Sequence, residues 1–554
     1  MSSLHASLTP SQLFKELQQQ YFQAWFRFHP EEAVDVGVAA HAGELRSYDD
    51  DDIGALKALN QKLVCALDEM SIDDLDDSAR IDYKILKGAA EIELHELEER
   101  DWRFRNPSEF IPLNAIYQLL IQPVDNVHRA IKHRLMQYPD YLRGAKVFLS
   151  QSADRVVPVW LESAIQQCHS GSGFIRTLGR HPLVTHQFTN PARLQPLLDD
   201  AANALEGFAG FLEKEILPHA AGDFSCGVNH FNRLLNERHF LETSAQEVLT
   251  FGERIFNETK QALLEQTRLM QGNEDVEALW IKIVSQHPQG DQLLDVYRNS
   301  MKQAFQWWSD SGLISMPKKQ SLKVQETPEF MRQLIPFAAY KPPSPTDPEQ
   351  HGLYYVTTTS DEASLSQHNR FSIDLTCVHE AFPGHHLQFV TEHQQQSLNY
   401  TRLVNASASM YEGWALYAED IAIENGQLDK DEHRFVMLRD RLWRALRVII
   451  DVKIHTQKLN LGQAIDLMVA ELGFSRSQAE AELNWYSSSP TVPLCYATGR
   501  ELILQARNEQ VGEKDSDLLA FHDTLLAQGS IALPLVIQNA FGESAWQKVH
   551  AAVF

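Results

Sequence analysis

With 554 residues the chain is long enough to bury a large core and to divide into more than one structural lobe. Its apolar share of 44% and charged share of 22% are those of an ordinary globular protein. A formal charge of −25 excludes a broadly basic surface, and with it nucleic acid or an anionic membrane as the expected partner.

From the N-terminus, Leu13, Leu17, Tyr21, Phe22 and Trp25 recur at helical spacing behind Ser11 as N-cap, predicting a helix over 11–28. The acidic run Asp49–Asp52 reads as a solvated loop and has no EF-hand register. A long helix is expected over 78–100, followed by helices near 113–121, 126–136 and 139–152, with another starting at Pro158. A connection containing Gly, His and Pro is expected between Ser170 and Pro191, then a helix over 192–216 and a break from Pro218 to Cys226. Residues 244–271 and 290–309 return to helical periodicity.

Almost nothing in the first 310 residues alternates at period two, so the expected fold class is mainly α. We expect a large multi-helix architecture of two interleaved lobes around a cleft, with a soft boundary near residue 240. The exception is the stretch from Tyr340 to Ser360, where the β-branched and aromatic run Leu353–Thr359 predicts a small β element. It is either an edge strand that pairs with an extended peptide or a small packing hairpin. Helices over 373–395, 409–424 and 432–459 follow, and short helices run to Phe554.

Five scattered cysteines with no C-x-x-C pair point to a reducing compartment. The first residues lack a basic and then apolar leader, and no apolar run of about 18 residues occurs. The expected location is therefore the cytoplasm.

The chemistry concentrates in His379-Glu380-Ala381-Phe382-Pro383-Gly384-His385-His386 and, later, Glu412-Gly413-Trp414-Ala415-Leu416-Tyr417-Ala418-Glu419. In a His-Glu-x-x-His zinc site two histidines one helical turn apart reach one metal, and the Glu between them serves as general base. Here Pro383 occupies the position four after His379. On an unbroken helix His385 would lie roughly 240° around from His379, and His386 about 10 Å along the axis. Pro383 removes a backbone donor and clashes with the preceding turn, and Gly384 admits backbone angles that other residues avoid. The helix is therefore expected to widen or break there. With the extra pair looped out, His385 becomes the second ligand, and His386 is the alternative. Glu412, from a separate helix, is expected as the third. Glu419, two turns further on roughly the same face, either orients a ligand from behind or is a rival ligand.

These two motifs, together with Gly227–Leu235, Arg444-Ala445-Leu446-Arg447 through Asp451 to His455, and Tyr496-Ala497-Thr498-Gly499-Arg500, resemble the bacterial DUF885 family over most of the chain. The resemblance extends distantly to helical zinc peptidases related to thimet oligopeptidase, angiotensin-converting enzyme and the thermostable carboxypeptidases. It implies a zincin-like architecture and Zn²⁺ held by His379, His385 and Glu412, with Glu380 as general base. A tyrosine that donates to the oxyanion is also implied, a role that falls to Tyr496; the alternative for Tyr496 is a buried structural phenol. Arg500, beside it, is the candidate to hold a substrate carboxylate, because a guanidinium binds one bidentately. Arg444, Arg447 and Asp451 have the spacing of an ion-pair face on one helix.

The function expected is a zinc-dependent peptidase acting on short peptides. The same site on another amide or ester is one alternative, and a helical binding protein that has lost its metal is another.

Overall fold

The computed structural model describes residues 8–554 except 186–190, 329–331, 333–334, 336, 396–397, 457 and 513–514. Helices dominate, and strand is confined, among the described residues, to three short segments. No helix is long and apolar enough to cross a membrane, among the described residues.

By contact the chain forms two compact units. The first comprises residues 1–224 with 344–346 and 399–404, and the second comprises 225–343, 347–398 and 405–554. In the first unit, helices Pro10–Trp25, Asp50–Asp68 and Asp77–Glu99 enclose a core of Phe14, Phe22, Leu56, Leu63 and Leu86. The acidic run at its edge is not a loop. Asp49 is an N-cap whose side chain accepts from the Asp52 N–H, and Asp50, Asp51 and Asp52 form the first turn of the helix. Carboxylates are favoured there by the helix dipole and the unpaired N–H groups.

Two further sequence expectations change in this unit. The helices expected over 126–136 and 139–152 are one helix, Val127–Ser150, with Pro139 inside it. Leu135, Tyr138, Leu142 and Ala145 continue its buried face on both sides of the proline, and that burial outweighs the roughly 3 kcal/mol an interior proline costs. The helix starting at Pro158 runs on to Thr177, well into the expected connection, part of which (186–190) lies outside the described residues.

The second unit is built in chain order from α1 (Ala245–Gln271), α2 (Leu293–Ser311), β1 (Ser321–Glu326), β2 (Ala338–Lys341), β3 (His351–Val356), α3 (Arg370–Glu380), α4 (His385–His393), α5 (Ala408–Glu424), α6 (Asp431–His455) and α7 (Cys495–Gln510), with shorter helices between and after them. A complete capping box, Ser244 with Glu247, starts α1, and Gly272 in the left-handed region ends it. α1 packs along α6, and α5 packs along α7. Among the described residues of α5, nearly every side chain from Ala408 to Ala422 is buried, which makes it the central helix of this unit.

The sheet order is β1-β3-β2, with β1 parallel and β2 antiparallel to β3. The segment expected as an edge strand or hairpin is therefore the central strand. Both of its edges are already hydrogen-bonded, so no peptide can add to it. Tyr354 and Val356 of β3 are buried, consistent with the covered position.

Candidate metal centre

α3 and α4 begin as the single helix expected over 373–395, and the sequence between them breaks it. α3 stops at Glu380, and α4 starts at His385. In the link, the N–H groups of Ala381 and Phe382 both bond the Cys377 carbonyl, and the Gly384 N–H bonds the Val378 carbonyl. The Phe382–Pro383 peptide is cis. Gly384 is required by proximity: a Cβ there would lie 1.8 Å from the His379 carbonyl oxygen and 2.4 Å from that of Val378. The Pro383 carbonyl accepts from Trp414 Nε1 at 2.8 Å, so α5 fastens the turn directly.

This turn swings His385 back onto His379. Their rings stand edge to face with centroids 4.8 Å apart. Glu412 on α5 completes the group: its Oε2 lies 3.6 Å from His379 Nε2 and 3.5 Å from His385 Nε2, and the three donor atoms fall within 4.8 Å of one another. Those separations are long for hydrogen bonds. The two separations from Glu412 are close to the edge of a tetrahedron, since ligand bonds of about 2.1 Å put donors about 3.4 Å apart. Two imidazole nitrogens and a carboxylate oxygen are a donor set that suits zinc, and the residues present fit that ion.

Glu419, two turns along α5, bonds the other nitrogen of His379, with Nδ1 to Oε1 at 2.8 Å. It therefore fixes which ring nitrogen faces Glu412, and it lies outside the three-donor group. Burial alone would lower the His379 pKa, but the two carboxylates outweigh it and push it up to about 10. Burial would likewise raise Glu412, yet His379 and His385 hold it well below the usual carboxylate range. Glu380 is partly buried at the C-terminal end of α3, directly after His379.

His386 points elsewhere. Its Nδ1 meets the Tyr340 hydroxyl of β2 at 3.0 Å and its Nε2 meets Gln320 Oε1 at 3.1 Å, just before β1. Gly352 of β3 leaves room for its ring, since a Cβ there would come within 2.7 Å of Nδ1. His386 thus seats the sheet on α4, and burial pushes its pKa down to about 3.

α7 approaches α5 backbone to backbone. A Cβ on Gly413 would meet Gly499 Cα at 2.6 Å, and one on Gly499 would meet the Ser409 carbonyl at 2.0 Å. The close crossing sets Tyr496 against Glu412. Burial, with the Glu412 charge added, pushes the Tyr496 phenol well above its ordinary value and keeps it a proton donor. The Arg447 guanidinium covers the Tyr496 ring at 4.6 Å and bonds Tyr486 and Glu482. Arg500 is turned to the interior of the unit. Its guanidinium pairs with buried Asp420, which Arg441 also contacts, and lies 3.5 Å from Glu501.

The sequence singles out His379, His385 and Glu412, which the structure brings together, and sets Glu419 beside them. It gives no role to Trp414, to the glycine pair or to Asp420. The adjacency of Gly413 and Trp414 to Glu412 was the available signal, because a glycine inside a helix usually marks a close contact.

A bacterial protein family described as being of unknown function, DUF885, matches residues 30–539. The chain belongs to that family. Two solved structures share its fold. One, from Shewanella oneidensis, is described as "a putative lipoprotein of unknown function"; it is 20% identical with a TM-score of 0.78, over 95% of this chain and 99% of that one. The other is described as "the putative lipoprotein from Colwellia psychrerythraea" and is 18% identical with a TM-score of 0.78, over 98% and 99%. A comparison with curated proteins found no match. These structures share the fold, and the chemistry must be argued from the residues.

Proposed function

We propose that this member of the family is a zinc-dependent hydrolase that cleaves short peptides. The observation that supports it is the meeting of His379, His385 and Glu412 within 4.8 Å of one another, with Glu419 bonded to the far nitrogen of His379. A zinc ion held there supplies a Lewis acid for the scissile carbonyl and makes a neighbouring water more acidic. Glu380 takes the proton from the attacking water and passes it to the leaving amine. Tyr496, protonated and beside Glu412, donates to the oxygen that becomes negative in the tetrahedral intermediate. Glu419 accepts the His379 Nδ1 proton and so leaves Nε2 free as a ligand.

The test is metal content of protein purified without chelator, beside His385→Ala and Glu412→Ala, followed by digestion of a mixed peptide library. We expect about one zinc per chain, lost in both variants, and cleavage that Glu380→Gln abolishes. Wild-type protein that takes up no zinc even when it is supplied, or that binds zinc and leaves every peptide intact, rules out the peptidase reading.

A further inference from the structure

Five residues other than glycine have positive φ among the described residues, and three of them gather at one hydrogen bond. Phe240 (φ 54°) follows His239 directly, Glu242 (φ 51°) lies three residues after it, and Thr491 (φ 68°) is a residue that His239 bonds. A left-handed β-branched residue is a true outlier, and such strain persists only where its surroundings fix it.

His239 is fully enclosed, with 1% of its surface exposed. Its Nε2 lies 3.0 Å from Thr491 Oγ1, and its Nδ1 lies 3.3 Å from Ser407 Oγ. The Thr491 hydroxyl donates its own proton to the Pro490 carbonyl at 2.6 Å, so its oxygen accepts from Nε2–H. Nδ1 is then left to accept from Ser407. Thr491 is held from two more sides: its N–H donates to the buried Asp451 carboxylate at 3.4 Å, and its carbonyl accepts from the Cys495 thiol at 3.1 Å.

The two partners of this histidine precede the helices that carry Glu412 and Tyr496. Ser407 is the N-cap of α5, five residues before Glu412. Thr491 is in the turn that leads into α7, whose second residue is Tyr496. One imidazole therefore ties the start of the helix that carries Glu412 to the turn that aims Tyr496.

We propose that His239 and Thr491 are positioning residues, whose hydrogen bond holds a strained turn so that Tyr496 stays registered against Glu412. The tie between the two elements stands on the hydrogen bonds of His239, and its effect on turnover rests on the hydrolase reading above.

Two readouts separate those parts. In protein labelled with ¹³Cζ-tyrosine, the Tyr496 resonance is identified by its loss in Tyr496→Phe. We expect it to shift in His239→Ala and in Thr491→Gly, and to return in Thr491→Ser, which keeps the hydroxyl. Thr491→Gly also relieves the left-handed strain, so it remains folded if His239→Ala does not. On an internally quenched peptide library, both variants should lose roughly 10- to 100-fold in kcat with KM little changed. Neither should lose more when combined with Tyr496→Phe, because both act through that phenol. An unmoved Tyr496 resonance in folded Thr491→Gly overturns the proposal, as do kcat losses that multiply with that of Tyr496→Phe. If the wild type cleaves no peptide but the resonance moves, the positioning is upheld and the hydrolase reading fails.

Discussion

Glu412 and Glu419 sit two turns apart on α5, yet their carboxylates meet opposite nitrogens of His379. Glu419→Gln keeps the shape and removes the charge that holds the Nδ1 proton. We expect zinc affinity, measured by competition with a chromophoric chelator, to fall roughly 10- to 100-fold while one ion is still bound at saturation. Arg500 gives the opposite kind of result. With its guanidinium on buried Asp420, Arg500→Met should lower stability in denaturant by on the order of 2 kcal/mol, and leave KM for peptides nearly unaltered. A large rise in KM with stability intact would instead return Arg500 to the role of substrate anchor. His379, His385 and Glu412 stand out in the sequence because the metal chemistry proposed for them restricts the residue types. The sequence leaves Arg500 ambiguous because a guanidinium binds a protein carboxylate and a substrate carboxylate with the same fork.

At the scale of elements, most helices were legible from apolar spacing and caps, and the break between α3 and α4 from Pro383 and Gly384. What separates His385 from His386 in the structure is not local. His386 is claimed by Tyr340, within β2, and Gln320, just before β1, dozens of residues upstream, and no helical spacing reveals that. The order of the sheet was equally hidden: β3 reads as a lone strand until β1 and β2 are seen on either side. The tight turn makes a sharp prediction. Gly384→Ala places a methyl group inside the His379 carbonyl and should cost about 3 kcal/mol or more. If the protein folds at all, His385 should be displaced and zinc stoichiometry lost. Normal stability and full zinc loading in Gly384→Ala would show that the turn does not set the ligand geometry.

Across the whole molecule, acid sensitivity follows from histidines buried without charge. His522 is fully enclosed, with Nε2 at the Tyr417 hydroxyl and Nδ1 donating to the Leu313 carbonyl, and burial lowers its pKa to about 4. In the unfolded chain a histidine titrates near 6.5. Below that pH the unfolded state binds a proton that the folded state refuses, so the His522 contribution is complete above about 6.5 and fades as pH falls toward 4. The thermal midpoint should drop between pH 7 and pH 5, and less steeply in His522→Gln, which cannot take up that proton. Parallel curves for the two proteins would assign the acid sensitivity to other groups.

The first unit borrows residues 399–404 from far down the chain. Arg402 pairs there with buried Asp82 at 2.7 Å, Asn399 bonds the same carboxylate, and Tyr400 packs on Phe22 and Phe26. During synthesis the ribosome therefore delivers the N-terminal helices long before the cation that neutralises Asp82 has been made. That carboxylate has to wait, hydrated or protonated, through roughly 300 further residues, about 15–60 s at ordinary elongation rates. The N-terminal unit is thus completed late in synthesis, by a segment that the chain makes between α4 and α5.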